Sequence, residues 1–155
     1  MKKLIHLFIF CMMLSIATIS FAGVGKNNFQ FQISEYHTQR QGGQTLDVYI
    51  RYAMKDNVDY SQYFDYRNLR ENVLKYLEPS ADLPANVFWE IIVAKLAEEL
   101  RAKYSLAGIS VQFLVYPNEK GAVYEPGFHG PIYTVGDVIP LTQVVTPVGI
   151  HQASK

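Results

Sequence analysis

Alternating apolar and polar residues predict four β-strands in this chain. The first run is centred on Phe31, and a second, centred on Val48, follows a turn at residues 41–43. A period of two residues is typical of half-buried strands, and the short turn predicts that these two runs pair antiparallel. The same alternation predicts a third strand over residues 109–115 and a fourth over residues 132–135.

Two helices are predicted between the second and third strands. The first covers residues 61–77, where Leu69 and Val73 have helical spacing, and Pro79 follows its end. The second covers residues 84–104 and has one apolar stripe opposite a charged face. The order strand, strand, helix, helix, strand, strand predicts an α+β fold, in which an antiparallel sheet carries both helices on one face.

The N-terminal segment has the pattern of a cleavable secretory signal peptide. Lys2 and Lys3 precede an apolar stretch without acidic residues, and the small residues Ser20 and Ala22 close the segment. Polar residues interrupt its second half, whereas a spanning helix needs about 20 apolar residues. We therefore expect cleavage after Ala22, contact with the membrane only during export, and a mature protein that is periplasmic or secreted.

This expectation fixes the N-terminus of the mature protein. The exported protein should begin at Gly23, because the small residues before it are those that a signal peptidase reads. Mass spectrometry of the intact periplasmic or secreted protein measures this directly. A mass that includes Met1 would contradict the expectation.

The predicted domain organisation is a signal peptide at residues 1–22, one α+β domain at residues 23–136 and a C-terminal arm or tail at residues 137–155. Cys11, the only cysteine, leaves with the signal peptide, which excludes disulfides and cysteine-ligated metals from the mature chain. Loss of Lys2 and Lys3 leaves 12 Lys and Arg residues against 14 Asp and Glu residues. This near balance argues against nucleic acid as a partner.

Four short segments of the chain form a further pattern: Gly-Gln at residues 43–44, Asp-Tyr at 65–66, Phe-Trp-Glu at 88–90 and Pro-Gly-Phe-His-Gly at 126–130. Together they resemble dihydroneopterin aldolase and its relatives of the tunnelling fold (T-fold). These segments are similar to the start of the family's second strand, the start of its first helix, the start of its second helix and the hairpin into its fourth strand. The resemblance implies a ββααββ subunit that joins others edge to edge, and hence a homo-oligomer.

The resemblance also implies candidate ligand-binding residues. In the family, a glutamate of the second helix binds the edge of a pterin, and Glu90 is its match. A carboxylate suits a pair of ligand donors, although Glu90 equally fits the first turn of a helix as a favourable charge. Trp89, Tyr116 and His129 join it as candidate ligand-binding residues. The family's tyrosine falls on Tyr66, for which aromatic packing is the alternative role.

The family's catalytic lysine has two candidate positions in this sequence. Counting forward from Glu90 places it on Tyr116, and counting back from the Pro-Gly pair at residues 126–127 places it on Lys120. The family's loop glutamate falls near Gln39 or Arg40, so no carboxylate is found there. Lys120 and Tyr66 are therefore the candidate catalytic residues, and whether the protein is an enzyme stays open.

Two classes of function follow. The first is an exported domain, non-catalytic or divergent, that binds a planar pterin- or purine-like ligand at a subunit interface. The second is an exported structural or interaction module without a small-molecule ligand; a divergent aldolase-like enzyme is a further alternative. No cofactor is predicted, and the histidines lack the spacing of a metal site.

Overall fold

The computed structural model describes residues 27–56, 58–117 and 128–142. Four strands and two helices follow one another along this part of the chain: β1 (Asn28–Thr38), β2 (Gln44–Ala53), α1 (Tyr66–Leu77), α2 (Trp89–Lys103), β3 (Gly108–Val115) and β4 (Ile132–Gly136). The strands form one sheet in the order β1-β2-β3-β4, and every neighbouring pair is antiparallel. The predicted α+β class and ββααββ order are confirmed.

Both helices pack on one face of the sheet, toward which alternate apolar residues of β2 and β3 point. Alternate residues of β2 and β3 meet the apolar stripes of the helices in a single core. Its fully buried members include Leu46, Val48, Ile50, Leu69, Val73, Leu77, Ile92, Leu96, Leu100, Ile109, Val111, Phe113 and Val115. No helix of the described part is long and apolar enough to cross a membrane. The predicted signal peptide lies outside the described residues.

Helix α1 begins at Tyr66 rather than at the predicted Ser61, because aspartate side chains bond to the backbone before it. The carboxylate of Asp65 accepts a hydrogen bond from the Arg67 N–H at 2.9 Å and caps the helix. Upstream, Asp59 accepts from the Ser61 N–H at 2.8 Å, and only a 3-10 turn forms at Tyr60–Gln62. These local bonds compete with helical hydrogen bonds, so the first turn of the predicted helix does not form.

The outer face of the sheet, opposite the helices, is partly covered by residues that follow β4. Leu141 is buried between Tyr49 and Leu114, and its N–H donates to Ser110 Oγ at 2.9 Å. The Arg51 guanidinium donates to the carbonyl oxygen of Pro140 at 2.9 Å. All of β3 is therefore buried, rather than one face of it as its alternation predicts. In the segment predicted to be an arm or tail, Pro140 and Leu141 thus contact the sheet; residues 143–155 lie outside the described part.

Arg40, in the turn between β1 and β2, is completely buried. Its guanidinium donates to the carbonyl oxygens of Tyr76 at 3.2 Å and Glu78 at 2.7 Å, at the end of α1. It also donates to the carbonyl oxygens of Leu83 at 3.2 Å and Pro84 at 2.8 Å, in the linker to α2. Burial lowers the pKa of Arg40, and the negative charge of Glu78 opposes that shift. One side chain therefore fastens the turn, the end of α1 and the linker together.

Replacement of this guanidinium should destabilise the fold strongly. We expect Arg40→Met to lower the free energy of unfolding by about 3 kcal/mol or more, because buried carbonyl groups lose their donors. Arg70→Met is a matched control on the exposed side of α1, and its effect should stay within about 0.5 kcal/mol. Urea unfolding followed by circular dichroism measures both variants. Equal effects would show that the buried contacts of Arg40 contribute little.

Candidate functional site

A groove of about 360 Å³ opens at the N-terminal end of α2. We call it the Glu90 groove, and it is lined by Gln41, Phe88, Trp89, Glu90, His129, Gly130 and Pro131. Three residues predicted from the sequence, Trp89, Glu90 and His129, are thus brought together. The groove forms where the β1–β2 turn, the start of α2 and the hairpin before β4 meet.

Glu90 lies in the first turn of α2, with its side chain exposed to the groove. The helix is capped by Phe88, whose side chain offers no hydrogen bond to the helix and is 70% exposed. The first turn of a helix leaves N–H groups without partners inside the helix. This end of the groove therefore combines a carboxylate acceptor with main-chain donors and an exposed aromatic ring.

Trp89 forms a buried wall of the groove rather than a free binding group. It is 4% exposed, and its ring meets Phe113 edge-on with centroids 5.5 Å apart. Its indole N–H donates to Gln44 Oε1 at 2.9 Å, so this donor is used inside the protein. Trp89 is the only tryptophan in the chain. Its fluorescence is therefore a probe of the groove, although its indole N–H is not available as a hydrogen-bond donor to a ligand.

His129 is held at the groove by backbone contacts with the end of β3. Its backbone N–H donates to the Val115 carbonyl oxygen at 3.1 Å, and the Val115 N–H donates to the His129 carbonyl oxygen at 2.6 Å. The next residue, Gly130, has φ of 149°, and a Cβ there would lie 2.1 Å from the Phe113 carbonyl oxygen. Only glycine permits this close approach. The His129 side chain is exposed beside the groove.

Gln41 also lines the groove, a role that sequence analysis did not predict beyond placing a turn at this residue. Its backbone is left-handed, with φ of 49°. Its N–H donates to the Ala85 carbonyl at 3.0 Å, and its side-chain amide donates to the Val87 carbonyl at 3.3 Å. A non-glycine residue in this conformation is uncommon and often belongs to a functional site. The neighbouring Arg40 anchors this strained turn.

Tyr116 lies outside the lining of the Glu90 groove. Its hydroxyl donates to Asp47 Oδ1 at 3.0 Å, and its ring meets Phe128 edge-on with centroids 4.9 Å apart. Burial raises the pKa of Tyr116, and the hydrogen bond and negative charge of Asp47 raise it further. The position that a direct count assigns to the family's lysine thus holds a neutral phenol bonded to a carboxylate.

Asp47 was not identified from the sequence, although it organises this side of the sheet. It is 6% exposed and accepts hydrogen bonds from Tyr49 Oη at 3.1 Å, Gln32 Nε2 at 3.2 Å and the Glu35 N–H at 2.7 Å. The last of these fixes a bulge, where the register of β1 against β2 shifts between Ile33 and Tyr36. Burial, followed by the charge of Asp47, raises the pKa of Tyr49 to about 12.

Tyr66, the one candidate catalytic residue within the described part of the chain, does not line the Glu90 groove. Tyr66 is the first residue of α1, and its ring packs 5.4 Å from that of Phe29 and 5.7 Å from that of Phe31. Phe29 pairs with Tyr52, at the end of the sheet opposite the β1–β2 turn. Tyr66 is therefore placed for aromatic packing, far from Glu90. Lys120 lies outside the described residues.

Comparisons with known proteins identify the fold. No family model and no curated protein matches the sequence. Among solved structures, dihydroneopterin aldolase of E. coli, in complex with neopterin, matches with a TM-score of 0.50 and 17% identity, over 70% of this chain and 99% of that chain. Dihydroneopterin aldolase of Burkholderia thailendensis, bound to guanine, matches with a TM-score of 0.52 and 11% identity, over 72% of this chain and 92% of that chain.

At these identities the likeness concerns the fold alone. In the ranges that the structure describes, no group of three or more His, Cys, Asp or Glu side chains is placed to hold a metal ion. The lining of the Glu90 groove includes a carboxylate, an imidazole and aromatic rings. The chain has the α+β fold of dihydroneopterin aldolase, the T-fold that the four sequence segments implied.

Proposed function

We propose that this protein is an exported T-fold domain that binds a planar pterin- or purine-like heterocycle in the Glu90 groove. The observation that carries the proposal is the position of the Glu90 carboxylate, which faces a groove bounded by Trp89 and His129. Two solved proteins of the same fold hold neopterin and guanine. Both ligands are flat heterocycles with neighbouring N–H donors along one edge.

The chemistry of the groove suits such an edge. A carboxylate accepts two N–H donors from a planar ligand through charge-assisted hydrogen bonds, which are stronger than bonds between neutral groups. The volume of about 360 Å³ falls in the range of about 300–1,000 Å³ that is usual for small-molecule sites. The exposed ring of Phe88 and the ring of Pro131 supply apolar surface for the faces of the heterocycle.

The arrangement supports binding rather than aldolase catalysis. Tyr116 donates to Asp47 and carries no ammonium group, and Arg40 near the position of the family's loop glutamate is buried as a structural cation. A divergent enzyme would need Lys120, outside the described residues, to act at the groove. A structural or interaction module without a ligand is the other alternative, and the experiment below separates it from a binder.

Fluorescence of Trp89 measures binding directly, because it is the only tryptophan and lies in the groove wall. We expect neopterin or guanine to quench it. Glu90→Gln should weaken the affinity by at least about tenfold, since a hydrogen bond to a charged group contributes about 1.5–3 kcal/mol. Glu71→Gln, on the exposed side of α1, is the matched control and should bind as the wild type does.

Two outcomes would contradict this proposal. If a panel of pterins and purines neither quenches Trp89 nor raises the melting temperature of the wild type, the module without a ligand is favoured. If Glu90→Gln binds as tightly as the wild type, the ligand site lies elsewhere. Thermal unfolding of Glu90→Gln alone should change little, because a charge at an exposed helix start contributes only about 0.3–1 kcal/mol.

The proposal includes self-association through the sheet edges. In the described part of one chain, β1 and β4 are the edge strands, and each exposes a large apolar side chain, Phe29 at 44% and Ile132 at 36%. Unpaired strand edges favour pairing with another chain. Pro140 and Leu141 already cover part of the outer face of the sheet. We therefore expect association through the strand edges rather than through that face.

Light scattering tests this assembly. We expect the mature protein at micromolar concentration to have a mass that is a multiple of the single-chain mass. Ile132→Lys should shift the mass toward the monomer, because a lysine on an edge strand opposes edge pairing. Ile139→Lys, in the exposed part of the arm, serves as the control. A monomeric wild type would contradict edge-to-edge assembly but would leave binding at Glu90 to be judged by fluorescence.

A further inference from the structure

A second groove, of about 430 Å³, lies at the opposite end of α2 from the Glu90 groove. We call it the Lys103 groove, and it is lined by Met54, Lys55, Val58, Gln62, Phe64, Lys103, Tyr104 and Ser105. The two grooves share no lining residue. Anything that binds here is therefore independent of the function proposed for Glu90.

The apolar part of the Lys103 groove is built from half-buried aromatic rings. The rings of Phe64 and Tyr104 have centroids 4.5 Å apart, and Phe64 also lies 5.5 Å from Tyr52, which is buried. Tyr52 belongs to the core, so the rings above it rest on a fixed support. This arrangement offers a firm apolar surface on which a flat ligand can stack.

Two charged residues of the described chain line this groove, Lys55 and Lys103. Lys103 Nζ donates to Asn72 Oδ1 at 2.7 Å and lies 5.9 Å from the centre of the Tyr104 ring. Asn72 in turn donates to the Tyr104 hydroxyl at 2.7 Å, so α1 holds both groups in place. An ammonium group has three N–H donors. The bond to Asn72 thus positions Lys103 while leaving it donors for a ligand.

No acidic residue is among the described residues that line the Lys103 groove. Asp59 accepts from the Ser61 N–H, and Asp65 bonds to Arg67 at the start of α1. The negative charge of Glu71 reaches Tyr104, where burial is the main cause of its raised pKa. The groove itself therefore presents positive charge beside aromatic surface.

We propose that the Lys103 groove binds a small anion whose charged group is attached to a planar apolar body. Lys55 and Lys103 would bind the anionic group, and the rings of Phe64 and Tyr104 would contact the planar body. Neither feature suffices alone, because exposed ion pairs are weak in water and a neutral ring offers the lysines no charged partner. The combination predicts a preference for aryl phosphates or aryl carboxylates over their separate halves.

Amide NMR of the mature protein at low salt tests this preference, with phenyl phosphate, inorganic phosphate and phenol as probes. We expect phenyl phosphate to shift the resonances of Lys55 and residues 103–105, to bind more tightly than either of the other probes, and to bind more weakly when salt is added. The proposal is overturned if phenyl phosphate leaves these resonances in place. It is equally overturned if inorganic phosphate binds as tightly as phenyl phosphate, which would mean that the rings take no part.

Matched variants separate the two contributions. Lys55→Gln and Lys103→Gln should each weaken phenyl phosphate binding by about three- to fivefold, whereas Lys75→Gln on the other helix should not. Phe64→Leu should weaken phenyl phosphate and leave inorganic phosphate unchanged. Each variant is first checked for a folded amide spectrum, and the two lysine variants keep the test decisive if Phe64→Leu does not fold. Equal weakening in Lys75→Gln would reduce the effect to overall charge and refute the site.

Discussion

The buried guanidinium of Arg40 is the contact on which the arrangement of the Glu90 groove depends. Its four carbonyl acceptors belong to the end of α1 and to the linker that leads into α2. A helix end and an irregular linker both carry backbone acceptors that need donors when buried. Arg40 supplies them from the β1–β2 turn, so the path of the chain toward Glu90 is tied to the sheet. The next residue, Gln41, lines the groove as a direct result.

The same contact explains why the sequence predicted the existence of α2 better than its first residue. The apolar period of α2 is clear, and the structure has a helix there, but it begins at Trp89 and not at residue 84. The Pro84 carbonyl instead accepts from Arg40 and from the Val87 N–H. A buried arginine is rare, and its partners are backbone atoms distant in sequence. No local pattern could have revealed this competition.

The sequence likewise predicted some residues of the candidate site and missed others. The resemblance brought attention to Trp89, Glu90 and His129, and the fold does place them around one groove. It missed Asp47, because an aspartate at an alternating position of a strand normally faces water. Here the bulge in β1 supplies the Glu35 N–H, and Tyr49 and Tyr116 supply hydroxyl donors. These partners depend on register and on packing of the outer face, which a single sequence does not display.

Charge at the two ends of α2 links helix stability to recognition. Glu90 stands in its first turn, and Arg101 and Lys103 stand in its last, the placement that the helix dipole favours. An acidic first turn and a basic last turn are thus accounted for without any ligand. What the dipole does not require is a groove at each end, with Phe88 beside the carboxylate and Phe64 and Tyr104 beside the ammonium.

Because the helix dipole accounts for the charges but not for the grooves, only some measurements are informative about function. Removing either charge costs the helix only a fraction of a kcal/mol to about 1 kcal/mol, whether or not a ligand binds. Stability alone therefore cannot separate a stabilising charge from a recognition group. Ligand affinity can separate the two roles, because removal of a charge that only stabilises the helix leaves ligand binding unchanged. The charged side chains at the two grooves have opposite signs. A ligand rich in N–H donors should therefore prefer the Glu90 groove, and an anionic ligand should prefer the Lys103 groove.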